Sequence, residues 1–353
     1  MNNLKISFPQ LANYIVPITF LLENIFDVEI IKPNKITTKT IELGTKYSPD
    51  FVCTPFKYTL GTMIESLDMG ANILIQPGGG CRYGYYHELQ EKILKDLGYE
   101  FKLYNFVTAG KLNIKRVYKT AKKIDKKINI IKSLYYLFIT KKMIKYMDKT
   151  DDYIRKNIGF EIKKGSFEKI NDEMLHNFSK VKNPINLYFT YKKYYKLIKK
   201  IKTNKPKNCL KVGIIGELYT VMEPFSNYFL EKELVSYNIE IKRFTNVNYL
   251  LFDNKKVIKK ALKNTKEFQK YKMAADATTN VYWAKYLCLK NYDGIIHIKS
   301  SFCTPEISVM PILNKVCSKY NKPIIYFSFD SSTSEVGIKT RIEAFKDMIE
   351  MRR

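Results

Sequence analysis

Ala71–Gln76 (ANILIQ) is short and almost continuously apolar. A strand with one wet face alternates polar and apolar residues, whereas a run like this is buried on both faces. Helices must then cover both sides of its sheet. The flanking sequence agrees. Leu4–Phe8 reads as a strand, followed by helical periodicity to Asn24. Val28–Lys32 is strand-like, Ile36–Tyr47 and Pro55–Leu67 are helical, Tyr85–Leu97 is helical, and Glu100–Phe106 is a strand again. This alternation predicts a parallel sheet with helices on both faces.

The rhythm stops near residue 109 and returns at Leu210. Lys211–Gly216 (KVGIIG), Ile239–Thr245, Gly294–Ser300 (GIIHIKS) and Pro323–Ser328 (PIIYFS) read as strands. Phe225–Leu234, Ala275–Lys290, Pro305–Tyr320 and Ile338–Met351 read as helices. Between the two alternating regions, lysine pairs recur among Ile, Leu, Tyr and Phe at helical spacing, most clearly over Tyr188–Ile201. The expectation is an α/β protein of two Rossmann-like, flavodoxin-like lobes, 1–108 and 208–353, with a lysine-rich helical insertion at 109–207 between them.

Charge is concentrated in that insertion. The chain of 353 residues carries a net +27, and residues 111–207 hold 28 Lys and Arg against 8 Asp and Glu. Lysine far outnumbers arginine, while base-edge and phosphate forks favour arginine. The region therefore reads as solvated helix surface, with a docking face for an acidic partner or an anionic ligand as the functional alternative, rather than as a nucleic-acid site. No run reaches the roughly 18 apolar residues of a membrane span. Leu11–Leu22 follows a strand and contains Pro17, so it reads as a helix rather than an export signal. The six cysteines are then expected as reduced thiols in a cytoplasm.

Three cysteines stand at corners. Cys53 and Cys303 both open a Cys-Thr-Pro triplet before a helical pattern. Thr and Pro suit the cap and the first helical position. Cys81 follows Pro77-Gly78-Gly79-Gly80 and precedes Arg82, Tyr83 and Tyr85. Glycine amides form concave anion sites, and helix N-termini favour anions and thiolates. Two like corners, one in each lobe, agree with a distant duplication. Cys209, Cys288 and Cys317 lie in apolar or linker settings and read as small buried hydrophobes. No C-x-x-C and no paired-histidine motif is present. Three thiolates suit a 4Fe–4S cluster with one open iron, with zinc as the weaker fit.

Five blocks in order resemble the 2-hydroxyacyl-CoA dehydratase superfamily. They are FVCTPFK from Phe51, PGGGCRYGYYHELQ from Pro77, KVGIIGE from Lys211 with Glu223-Pro224, DGIIHIKSSFCTPE from Asp293, and SFDSSTSEVGIKTRIEAF from Ser328. The resemblance covers both lobes and little of the helical middle. It implies that Cys53, Cys81 and Cys303 ligate a 4Fe–4S cluster, with an 8Fe–9S double cubane as the alternative. It implies an ATP-dependent activator that delivers low-potential electrons, an acyl-CoA substrate, and a homodimer. The activity it implies is a dehydratase-like lyase or an iron–sulfur reductase working anaerobically. Around the cluster, Gly79, Gly80, Arg82, Tyr83 and Tyr85 are expected to bind or tune it. Glu217, at the end of the KVGIIG strand, is the candidate proton donor. His297 is expected as a satisfied core residue. The competing reading is a redox-sensing or anion-binding regulatory module without catalysis.

Overall fold

The structure, a computed structural model, describes residues 4–76, 78–108, 111–112, 114–249, 251 and 254–353. Pro77, which opens the glycine turn, and Ala109, the first residue of the expected insertion, lie outside the described residues. The chain divides into two compact units, Met1–Lys142 and Met143–Arg353.

The first unit contains β1 (Lys5–Ser7), α1 (Ile15–Ile25), β2 (Glu29–Ile30), α2 (Thr38–Tyr47), α3 (Thr54–Asp68), β3 (Ile73–Gln76), α4 (Tyr86–Asp96) and β4 (Lys102–Asn105). A short antiparallel pair, β5 (Val107–Thr108) and β6 (Lys111–Leu112), precedes α5 (Ile114–Ile124). Helix α6 (Ile130–Asn157) contains the boundary between the units. The main sheet is parallel in the order β2-β1-β3-β4. Alternation along β3 sends Ile73 and Ile75 into one core with α1 and α5, and Leu74 into the other with α3 and α4. That two-sided burial is why the strand reads as an unbroken apolar run.

The second unit contains α7 (Ser166–Phe178), α8 (Pro184–Lys200), β7 (Lys211–Gly216), α9 (Leu218–Met222), α10 (Leu230–Ser236), β8 (Glu240–Arg243), α11 (Asn254–Asn264), α12 (Ala277–Leu289), β9 (Gly294–Ser300), α13 (Thr304–Lys319), β10 (Ile324–Phe329) and α14 (Glu335–Met351). Its sheet is parallel in the order β10-β9-β7-β8. Ile296 and Ile298 pack under α10 and α14, while Ile295 packs under α12 and α13. In α8 the buried positions Leu187, Tyr191, Tyr194 and Ile198 recur at helical spacing, and the lysines occupy the other face. Among the described residues no helix is long and apolar enough to cross a membrane.

Both sheets share one winding. The second strand lies outside the first, and the third lies on the first strand's other side. The crevice between the carboxyl ends of first and third strands is the switch point at which such sheets bind ligands. One expected helix is broken. Over Phe225–Leu234 the chain makes a 3-10 turn (Pro224–Asn227), then passes through Tyr228 and Phe229, both left-handed at φ 53° and 55°, before α10 starts. The Asn227 side chain accepts from the Leu230 amide at 3.1 Å and restarts the helix.

Candidate functional site

All three corner cysteines occupy helix N-cap positions. Cys53 caps α3 with Pro55 in its first turn, and Cys303 caps α13 with Pro305 in the same place. Cys81 caps the 3-10 turn Arg82–Tyr85 that runs into α4. None of the three thiols hydrogen-bonds the helix it caps, and none is in a disulfide.

In the first unit the Cys53 thiol meets the phenol of Tyr86. The Cys53 Sγ lies 2.8 Å from the Tyr86 hydroxyl. Burial pushes the Tyr86 hydroxyl far up, the Cys53 thiol pushes it further, Arg82 pulls it back, and Cys81 adds a smaller upward push. Tyr86 is held edge-on against Phe56 at 4.8 Å and tilted against Tyr83 at 5.3 Å. Sequence reasoning singled out Tyr83 and Tyr85 and missed Tyr86. Tyr83 packs where a Cβ on Gly79 would stand, 2.9 Å from its own Cβ, whereas Gly80 has open space around it. Tyr85 is 64% exposed. Below this turn, Gln76 at the end of β3 is fully buried, and neither polar atom of its side chain has a partner among the described residues.

In the second unit Cys303 follows β9. His297 and Lys299, two apart on that strand, share a face. His297 Nε2 lies 2.7 Å from the Glu306 carboxylate, which also accepts from Asn280 at 2.9 Å. Asn280 in turn pairs with both backbone groups of Gly216. Gly216 is required here. Its φ is +143°, and a Cβ would fall 1.8 Å from the Ile298 carbonyl oxygen. His297 is thus a core residue with one satisfied nitrogen. Its Nδ1 and the second oxygen of Glu306 have no partner among the described residues. Lys299 is 5% exposed. Burial lowers its pKa, while Cys303 and Glu306 pull it back up.

Glu217 caps α9, accepting from the Tyr219 amide at 2.8 Å and the Thr220 amide at 3.0 Å. Burial nevertheless pushes its carboxyl up, and Glu306 adds to the push. The carboxyl of Asp276 is driven well above its usual range by burial, then by Glu306 and Glu217, against a hydrogen bond from the Leu218 amide. The first turn of α9 is therefore filled by the protein's own carboxylates.

Topology separates the two Cys-Thr-Pro corners. Cys53 caps the helix that leads into the third strand of its sheet, and Cys303 caps the helix that leaves the third strand of its sheet. The counterpart of Cys303 in the first unit is Cys81. The counterpart of Cys53 in the second is Asp276, the N-cap of α12. The two lobes share a winding, but the matching triplets are not matching positions.

Residues 273–349 match the family described as 2-hydroxyglutaryl-CoA dehydratase, D-component. The match supports the 2-hydroxyacyl-CoA dehydratase superfamily. This dehydratase-type segment carries Asp276, Asn280, His297, Lys299, Cys303 and Glu306, whereas Cys53 and Cys81 lie outside it. No curated protein matches the chain. Among the described residues, no three His, Cys, Asp or Glu side chains close on one point as metal ligands.

Proposed function

We propose that this chain is the 4Fe–4S component of a dehydratase-type system, with Cys53, Cys81 and Cys303 as its three thiolate ligands. The observation that carries the reading is the placement of all three thiols. Each is outside any disulfide, each caps a helix, and each lies by topology at the carboxyl edge of a parallel sheet. A cluster held by three thiolates is anionic, and helix N-termini favour anions. The orphaned amide of Gln76 beneath the Cys81 turn is a further polar group suited to a ligand there.

When bound, such a cluster would supply single low-potential electrons and one open iron. The chain's own residues do the rest. Tyr86 hydrogen-bonds the Cys53 sulfur and fixes its direction, as outer partners of metal ligands do. Arg82 brings positive charge to the same phenol. Burial raises the pKa of the Asp276 carboxyl well above its ordinary value, and Glu217 beside it is the candidate donor to substrate. The substrate class is a 2-hydroxyacyl-CoA, and an ATP-dependent activator delivers the electron. A homodimer working in an anaerobic cytoplasm completes the reading. In the second unit, Glu217 and Asp276 occupy the amides that an anion-binding module would need, which favours the redox reading over that alternative.

Iron and acid-labile sulfide per chain after strictly anaerobic purification, with EPR of the reduced protein, test this. About four of each, depleted in Cys81→Ala, is the expected result. Iron near zero after reconstitution overturns it.

A further inference from the structure

One cleft in the second unit takes no part in that reading. It has a volume of about 210 Å³ and opens at the carboxyl end of β8, between the C-terminal half of α6, α11 and α12. Parallel α/β sheets bind ligands at this edge.

Its wall is aromatic. Phe244 and Trp283 stack at 4.0 Å with their planes 2° apart. Trp283 is the chain's only tryptophan. The cations that line the cleft are already committed. Lys242 pairs with Asp152. Arg155 and Arg243 both hold Glu231, at 2.9 and 2.6 Å. This balance does not suit a phosphate. What remains for a ligand is one amide donor beside the aromatic wall. Arg243 is 8% exposed and its Nε is sealed from solvent, so it offers the cleft no donor. Asn246 uses its carbonyl oxygen on the Tyr249 amide at 2.8 Å, which leaves its NH2 group as a donor. Apolar aromatic surface, neutral charge and an unused amide donor together suit an uncharged planar heterocycle with ring acceptors.

We propose that this cleft binds the adenine ring of a nucleotide or coenzyme. Free adenine nucleotide and coenzyme A present the same ring, and the proposal does not depend on the cluster.

Trp283 is the probe. Intact protein is titrated with AMP, UMP and coenzyme A while tryptophan fluorescence is read. Saturable quenching by AMP, with UMP at least tenfold weaker, is expected. Val257→Phe places a ring in the cleft and should weaken AMP at least tenfold, with circular dichroism confirming the fold. Coenzyme A quenching alongside AMP assigns the ring to the coenzyme. AMP quenching without coenzyme A assigns it to a free nucleotide and leaves the acyl-CoA substrate without this contact. Equal response to AMP and UMP, no saturable response to any of the three, or AMP binding unchanged in folded Val257→Phe overturns the adenine site. Iron content decides the cluster reading separately in every case.

Discussion

The Tyr86 hydroxyl sits 2.8 Å from the sulfur of Cys53, a residue 33 positions earlier in the chain. The bond ties the N-cap of α3, a candidate ligand, to the first residue of α4. Tyr86→Phe keeps the ring contacts with Phe56 and Tyr83 and removes only the hydroxyl. A loss of about 1 kcal/mol in unfolding free energy is expected, the usual worth of one partly buried hydrogen bond. Denaturant unfolding of the metal-free protein measures it. An unchanged midpoint would show that Cys53 and Tyr86 are not bonded in solution.

Behind Cys53, α2 and α3 cross at two glycines. A Cβ on Gly44 would fall 1.8 Å from the Lys57 carbonyl oxygen, and one on Gly61 would fall 1.9 Å from that of Thr40. Both obstacles are backbone, so neither can swing aside. Gly61→Ala should push the helices apart and cost about 3 kcal/mol. Gly70→Ala has no such obstacle but sits at φ +92°, so its cost is conformational and smaller, about 1 kcal/mol. The ranking of the two variants in thermal unfolding checks the crossing.

What the sequence showed was what local chemistry writes. Gly294–Ser300 is a strand residue for residue, and with both of its faces buried its isoleucines fall on both sides of the sheet. The helix starts beside Cys53 and Cys303 were legible because Thr and Pro at a helix start act within one turn, but the cap falls on the cysteine, one residue before the threonine expected to hold it. Tyr86 was not, since its partner lies 33 residues away and two neighbouring tyrosines are closer to Cys81 in sequence. The bonds of Glu306 to His297 and Asn280 span 9 and 26 residues and leave no local pattern. The break at Tyr228 and Phe229 was hidden because aromatic residues give no signal of a left-handed backbone. The two Cys-Thr-Pro triplets misled in the other direction. Cap chemistry is the same at any parallel-sheet edge, so like triplets do not mark like positions.

Asp276 makes stability depend on pH in a definite direction. Its folded-state pKa is raised above the ordinary 3.8, by burial first and then by Glu306 and Glu217. The folded state therefore binds more protons than the unfolded chain. The stabilisation is complete below 3.8 and is lost as pH rises through the folded-state value. Asp276→Asn keeps an acceptor for the Leu218 amide and removes the ionisation. The variant should match wild type near pH 3 and gain on it as pH rises from about 4 toward the folded-state pKa, by about 1.4 kcal/mol for each pH unit climbed while the folded-state carboxyl keeps its proton. Urea unfolding across that range measures the difference. A gap that closes with rising pH would reverse the sign and remove the buried acid.

Glu231 runs the opposite way. Burial alone would raise its pKa, but Arg155 and Arg243 outweigh burial and lower it from 4.5. Its contribution is present above 4.5 and is lost as pH falls through the lower folded-state value. Glu231→Gln leaves two largely buried guanidinium groups without their shared anion, and should cost about 3 kcal/mol at pH 7. The cost should shrink as the buffer is taken toward acid, which separates it from a simple packing defect.

The remaining thiols decide between one cubane and two. Cys317 lies fourteen residues along α13 from Cys303, a rise of about 21 Å at 1.5 Å per residue. It packs with Cys288 inside the core between α12 and α13. Cys209 stands before β7, at the amino end of a strand whose carboxyl end carries Glu217, a span of about 20 Å over the strand. None of the three can reach a cluster centred on Cys303. Cys209→Ala and Cys317→Ala should therefore retain the iron and sulfide of the wild type, with Cys317→Ala about 1 kcal/mol less stable for its small core cavity. Cys53→Ala and Cys303→Ala should lose them. Iron falling by half in Cys317→Ala, with the fold intact by circular dichroism, would instead require a second cubane and a rearranged α13.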